Sequence, residues 1–231
     1  MVQATVGGMI GMGRFVPFSF ADRSDLWPAD LVDATDAGLQ CPDVASLAQG
    51  LIAGTLVATD LGWQPVEDLQ AGDRIVTFDH GMRPLKAVRI STLHTAAGSA
   101  PSGVWPLSIP AGVLGNRTAM RVLPGQPLLI ESDAAEVLYG DAFLMVPAGV
   151  LDGYKGIQRV APEREVTVVT LEFEGDEVVY TNGTLLVQCA AAESRAYPER
   201  VEHARCLTPV VYQRLTEQQG RRLVAAMTLN G

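Results

Sequence analysis

The hydrophobic pattern changes character at Leu51. Before it, residues 1–40 are weakly patterned, with Gly and Pro scattered through them. They read as an irregular lead-in with one short strand around residues 15–20. "PDVASLAQG" suits one or two helical turns that Gly50 would end. From Leu51 the chain becomes a series of short, β-branched-rich runs: "TLVAT", "DRIVTFD", "LKAVRIS", "WPLSIP", "MRVLPGQPLLIE", "AEVLYG", "FLMVP", "VTVVTLEFE" and "EVVYT". Turn signals separate them at Asp60-Leu61-Gly62, Ala71-Gly72-Asp73, Asp79-His80-Gly81, Glu174-Gly175-Asp176 and Asn182-Gly183. Many short strands at close spacing predict an all-β domain. "FEGDEVVYTNG" reads as a hairpin turning at Gly175-Asp176. "QPVEDLQAGD" and "IPAGVLGN" read as turns into short helices.

The period changes again near the end. "LTPVVYQRLTEQQGRRLVAAMTL" offers Thr208 as an N-cap and Pro209 at the first helical position. Val211, Leu215, Leu223 and Met227 then fall near helical spacing. This predicts a helix over about 209–228, with Gly220 weakening its middle. The expected division is a lead-in over 1–49, a β domain over 50–190 and a C-terminal extension over 191–231.

Composition narrows the classes of function. The chain has 231 residues, 48% apolar and 19% charged. It can bury a sizeable core and does not read as disordered. Its net charge of −9 offers no basic face for phosphate, which argues against nucleic acid and acidic membranes as partners. No stretch approaches the roughly 20 apolar residues that span a bilayer. The N-terminus lacks a basic region ahead of its apolar residues, so a cytoplasmic chain is expected, with unconventional export left open. Three cysteines without a CxxC motif suit reduced thiols.

The run "IAGTLVATDLGWQPVEDLQAGDRIVTFD", residues 52–79, resembles the opening of the Hedgehog/intein (Hint) domain, in particular its alphaproteobacterial branch. Gly54-Thr55, Val57-Ala58-Thr59, Pro65-Val66-Glu67-Asp68-Leu69, Gly72-Asp73 and Thr77 match that pattern. "DHGMRPLKAVRI" resembles the family's next hairpin and strand, with Ala87 where a tryptophan would stand. "IPAGVLGN", "AEVLYGDAFLMVPAGVLDG" and "VTVVTLEFEGDEVVYTNG" follow in the family's order. The likeness covers about residues 50–189 and implies a compact, horseshoe-like all-β fold of many short strands.

The resemblance also implies chemistry. Active Hint domains cut their own backbone. Their first residue, usually cysteine, attacks the preceding carbonyl, and a histidine in a separate segment protonates the leaving amide nitrogen. Counting back from Gly54 puts the nucleophile position on Gly50, which has no side chain. The histidine position in "VLPGQPLLI" falls on Gln126, which carries no transferable proton near neutral pH. Two further histidine positions read Thr170 and Asp176. Gly54, Thr55 and Asp79 are the residues expected to line the remaining pocket.

Other candidates have bland readings. Cys41 reads as an inert thiol and Cys189 as a core residue. His203 and Cys206 have i, i+3 spacing that Cys189 could complete, but without a CxxC anchor this reads as coincidence, so no metal or cofactor is expected. His80 reads as a solvated turn residue and His94 as a loop residue. Asp73 and Asp79 read as turn residues, and Glu131, Asp133 and Glu136 as an acidic surface. "GGMIGMG" makes a weak phosphate loop. The expected function is a catalytically silent Hint-like module with a structural or protein-interaction role. The alternative is self-cleavage through Cys41, Thr55 or Thr59. An unrelated β-rich hydrolase finds no supporting motif.

Overall fold

The computed structural model describes residues 49–94, 102–162, 165–191 and 212–230. These form fourteen strands: β1 (Leu51–Ile52), β2 (Leu56–Thr59), β3 (Gly62–Pro65), β4 (Arg74–Thr77), β5 (Gly81–Pro84), β6 (Ala87–His94), β7 (Leu107–Ile109), β8 (Met120–Val122), β9 (Pro127–Glu131), β10 (Phe143–Pro147), β11 (Gln158–Arg159), β12 (Glu165–Glu172), β13 (Glu177–Thr181) and β14 (Leu185–Cys189). One sheet runs β11-β7-β8-β1-β12-β6. The other runs β10-β9-β14-β13-β2-β4-β5, with β3 on β2. Every pairing between these strands is antiparallel. The core is aliphatic: Leu51, Val169 and Leu171 of the first sheet pack with Val57, Ile75, Val179 and Val187 of the second. This all-β architecture agrees with the strand pattern in the sequence.

Threonines close the hairpins. Thr59, Thr77 and Thr181 each end a strand, and each hydroxyl donates to a carbonyl across the turn: Gly62 at 2.8 Å, Gly81 at 2.8 Å and Leu185 at 3.1 Å. "QPVEDLQAGD" forms the expected short helix, a single turn of 3-10 helix at Val66–Asp68. "IPAGVLGN" does not. It is an irregular loop held by Asn116, whose amide donates to the carbonyls of Pro110 at 2.8 Å and Thr118 at 2.9 Å.

Three further expectations about elements are corrected. "AEVLYG" belongs to helix α1 (Asp133–Tyr139) rather than a strand. Ser132 caps its N-terminus by accepting from the Ala134 amide, and Gly140 ends it in the left-handed conformation. These end signals and the buried pair Ala134-Ala135 outweigh the β-branched Val137, which is 84% exposed and packs on nothing that would favour a strand. "FEGDEVVYTNG" is no hairpin: β12 pairs with β1 and β6, whereas β13 pairs with β14, β2 and β4. The turn at Gly175-Asp176 carries the chain from one sheet to the other. The hairpin lies one turn later, across Asn182-Gly183, with Asn182 at φ +47°.

The C-terminal helix also starts later than expected. Residues 213–215 run extended beside β10: the Leu215 amide donates to Met145 at 2.9 Å, and the Met145 amide donates to Gln213 at 3.0 Å. Helix α2 (Glu217–Asn230) follows, capped by Thr216. The Gln219 amide donates to the Thr216 hydroxyl at 3.3 Å, and the Gln219 side chain accepts from the Thr216 amide at 2.9 Å. This is a capping box, a stronger start signal than a proline. Leu215 and Leu223 are buried in the shared core. Thr208, Pro209, the strand over 15–20 and the turns of "PDVASLAQG" lie outside the described residues.

Candidate functional site

β1 is two residues long, and Leu51 sits between Val122 of β8 and Val169 of β12. Gly50 enters it with φ +143°, a region that side chains rarely allow. A Cβ on Gly50 would stand 2.4 Å from Cγ1 of Val168 and 3.3 Å from the Val169 carbonyl oxygen. Glycine is therefore what lets the chain pass this close to β12.

Gln126 closes the other side. It precedes β9 and is 2% exposed. Its Oε1 accepts the Gly50 amide hydrogen at 2.7 Å, and its Nε2 donates to the Gln188 carbonyl of β14 at 2.8 Å. Its own backbone is paired as well, to Leu123 at 3.0 Å and Ala148 at 2.9 Å. The partners determine which way the amide faces: a reversed group would set a donor against an N–H and an oxygen against a carbonyl. The bond therefore runs from the Gly50 nitrogen to Gln126. A general acid at this place would have to deliver a proton in the opposite direction.

Gly50, Gln126 and Thr170 thus come together, as their positions in the resemblance imply. With Gln49, Gln188 and Cys189 they line a hollow of about 10 Å3, room for about one water. Among the described residues no histidine lines it, but a thiol and a hydroxyl do. Thr170 Oγ1 would lie 3.4 Å from a Cβ on Gly50. Cys189 is the last residue of β14 and 7% exposed, a core residue as expected.

Asp176 does not reach the hollow. It accepts from the Ala191 amide at 2.7 Å and from Gln188 Nε2 at 3.3 Å, and Gln188 Oε1 accepts from Arg214 at 2.7 Å. Gly54, Thr55 and Asp79 do not line it either. The Gly54 amide donates to both carboxylate oxygens of Glu67, at 3.0 and 2.9 Å. The Thr55 hydroxyl donates to the Ile52 carbonyl at 2.6 Å, so it holds the turn that follows β1. Thr59 is committed to its hairpin. Asp79 accepts from the Tyr212 hydroxyl at 2.5 Å. Partial burial, then the hydrogen bond to that carboxylate, pushes the Tyr212 phenol well above its usual range.

His80 is not a solvated turn residue. Its Nδ1 lies 2.9 Å from the buried Glu177, which also pairs with Arg83 at 3.3 Å. A buried carboxylate needs such partners, and Glu172 meets the same need with Arg89 at 2.5 Å. His94 ends β6 rather than lying in a loop. Asp73 is a turn residue, accepting from the Gln70 amide at 2.8 Å, and Glu131, Asp133 and Glu136 are exposed. Among the described residues no group of three His, Cys, Asp or Glu could hold a metal ion. No helix among them is long and apolar enough to cross a membrane. Cys41, His203 and Cys206 lie outside the described residues. The sequence reading missed Gln188, which links the hollow to Asp176 and Arg214. Nothing in "LLVQCA" marks it.

A family model described as the Hint domain matches residues 49–190. No curated protein matches the chain. Among solved structures, the chain is similar to a bacterial intein-like domain from Clostridium thermocellum, at 13% identity and a TM-score of 0.44, over 60% of this chain and 97% of that one. The MchDnaB-1 intein matches at 13% identity and 0.37, over 59% and 98%. The gp41-1 intein matches at 16% identity and 0.38, over 60% and 96%. The family match spans most of the chain, includes both sheets and places Gly50 and Gln126 within it, and on that basis the chain belongs to the Hint domain family.

Proposed function

We propose that this Hint domain does not cut its own backbone and serves as a structural or protein-interaction module. One observation carries the reading: the Gly50 amide donates to Gln126 Oε1 in a place with no room for a Cβ. The first step of self-processing needs a thiol or hydroxyl on residue 50 and an acid facing its nitrogen. Here the first has no space and the second is replaced by an acceptor. The degenerate positions Gly50, Gln126, Thr170 and Asp176 support a pseudoenzyme within the family's bacterial branch. A cytoplasmic location belongs to the same proposal, in keeping with Cys189 as a buried thiol.

A second reading keeps self-cleavage through another nucleophile. Cys189 and Thr170 favour it, because both line the hollow beside Gly50. Thr55 and Thr59 lend it little, since their hydroxyls hold turns. Intact mass of fresh protein, followed over days with and without a thiol nucleophile, separates the two. An unchanged mass is expected. A fragment boundary beside Gly50 or Cys189 would overturn the silent reading. Gly50→Cys alone is expected not to cleave on adding thiol, and rapid cleavage would defeat the account.

A further inference from the structure

Residues 212–230 lie beyond the stretch that the family model matches, yet they are tied to the hollow. Tyr212 and Arg214 are two apart where the chain runs extended, which sends both side chains to one side and Leu215 to the other. Tyr212 donates to Asp79 in the β4–β5 turn, and Arg214 Nη2 donates to Gln188 Oε1 at 2.7 Å. The other end of the Gln188 amide donates to Asp176 at 3.3 Å. The Gln188 carbonyl accepts from Gln126 Nε2 at 2.8 Å, and Gln126 Oε1 accepts the Gly50 amide hydrogen at 2.7 Å. Arg214, Gln188, Gln126 and Gly50 therefore form one unbroken line of contacts from the C-terminal segment to the hollow.

This segment is held more lightly than the sheets. Among the described residues its backbone meets the sheet only at Met145, whereas β10 pairs with β9 along five residues. Its buried anchors are Leu215 and Leu223, with Val224, Ala226 and Met227 half-buried, and Arg214 is exposed. An element with few ladder bonds and exposed side-chain contacts opens at a lower free energy than core strands.

We propose that residues 212–230 are a clasp on the hollow. Docked, the clasp fixes Gln188 and, through it, the Gln126 oxygen that holds the Gly50 amide. Lifted, it lets go of Gln188, the hold on Gly50 loosens, and the thiol of Cys189, next along β14, becomes reachable while the sheets stay folded. Coupling of this kind requires an element with two arrangements, and the clasp, docked or lifted, is that element. The proposal goes beyond the silent-module reading, since the movement requires no nucleophile.

Two rates measured on the full chain test it: hydrogen exchange at the Gly50 amide, and alkylation of Cys189 by iodoacetamide, read by peptide mass. Arg214→Ala is expected to raise both by roughly three- to tenfold, the effect of losing one hydrogen bond, with exchange in the β12–β6 ladder unchanged. Arg221→Ala, which breaks only an exposed pair with Glu217 on α2, is expected to change neither rate. If Arg214→Ala does not fold, Tyr212→Phe releases the clasp at Asp79 instead and is read in the same way. Unchanged rates at Gly50 and Cys189 overturn the proposal. So does a rise matched by the β12–β6 amides, which is global unfolding, or an equal rise in Arg221→Ala.

Discussion

Single residues decide what the central hollow can do, and Gln126 decides most. It is buried, neutral and bonded at each polar atom, so it ties the start of β1 to β14. Gln126→Leu would leave the Gly50 N–H and the Gln188 carbonyl without their partner. Each orphaned buried group costs about 1–3 kcal/mol. We expect a loss of roughly 2–5 kcal/mol by urea unfolding, against about 1 kcal/mol or less for an exposed amide such as Gln70. A loss below 1 kcal/mol would mean that Gln126 does not clamp the site. Gly50 is legible in the sequence as a residue without a side chain at the position where the resemblance puts a nucleophile. Its left-handed φ and its contact with Val168 are not, because they depend on β12, more than a hundred residues away.

At the scale of elements, the Hint-like motifs turn out to hold backbone. Glu67 of "PVEDL" binds the Gly54 amide, and Thr55 closes the turn after β1. That is why the fold is readable in the sequence. Helix α2 shows the opposite case, since its start lies at Thr216 rather than Thr208. Thr216→Ala removes an N-cap and is expected to cost about 1 kcal/mol. Gly220 does not merely weaken this helix. It sits in the first turn, where a Cβ would come within 3.0–3.1 Å of both Val150 methyls. Alanine would gain about 1 kcal/mol in propensity but crowd a packed contact at a cost of about 1–3 kcal/mol. We expect Gly220→Ala to be neutral to about 2 kcal/mol destabilising, and Val150→Ala to relieve the crowding in the double variant. A clear gain in stability from Gly220→Ala would show that the helix can move off Val150.

Across the whole molecule, residues 212–230 of the C-terminal extension pack into the same structure as the sheets. Leu215 and Leu223 enter the common core, and Tyr212 reaches the β4–β5 turn through Asp79. The Tyr212 phenol is raised above its ordinary value near 10, so its protonated form is favoured in the fold. By linkage this stabilisation is fully present below that value and is lost as pH rises beyond it. We expect the unfolding midpoint of the native chain to fall between pH 9 and 11 more steeply than that of Tyr212→Phe. Parallel curves would mean that the phenol titrates as it does in the unfolded chain.

The all-β class, the turn positions and the family resemblance follow from the sequence alone, because alternation, turn residues and short motifs are local. Three-dimensional packing decided the rest. It put β12 and β13 in different sheets, because Glu165–Glu172 finds its partners in β1 and β6, and Glu177–Thr181 finds others in β14, β2 and β4. It made α1 a helix and drew Tyr212 and Gln188 into networks that no motif marks. Most of all, it decided the direction of the hydrogen bond between Gly50 and Gln126. The sequence names both residues, but a donor meets its acceptor only once distant strands have closed around them.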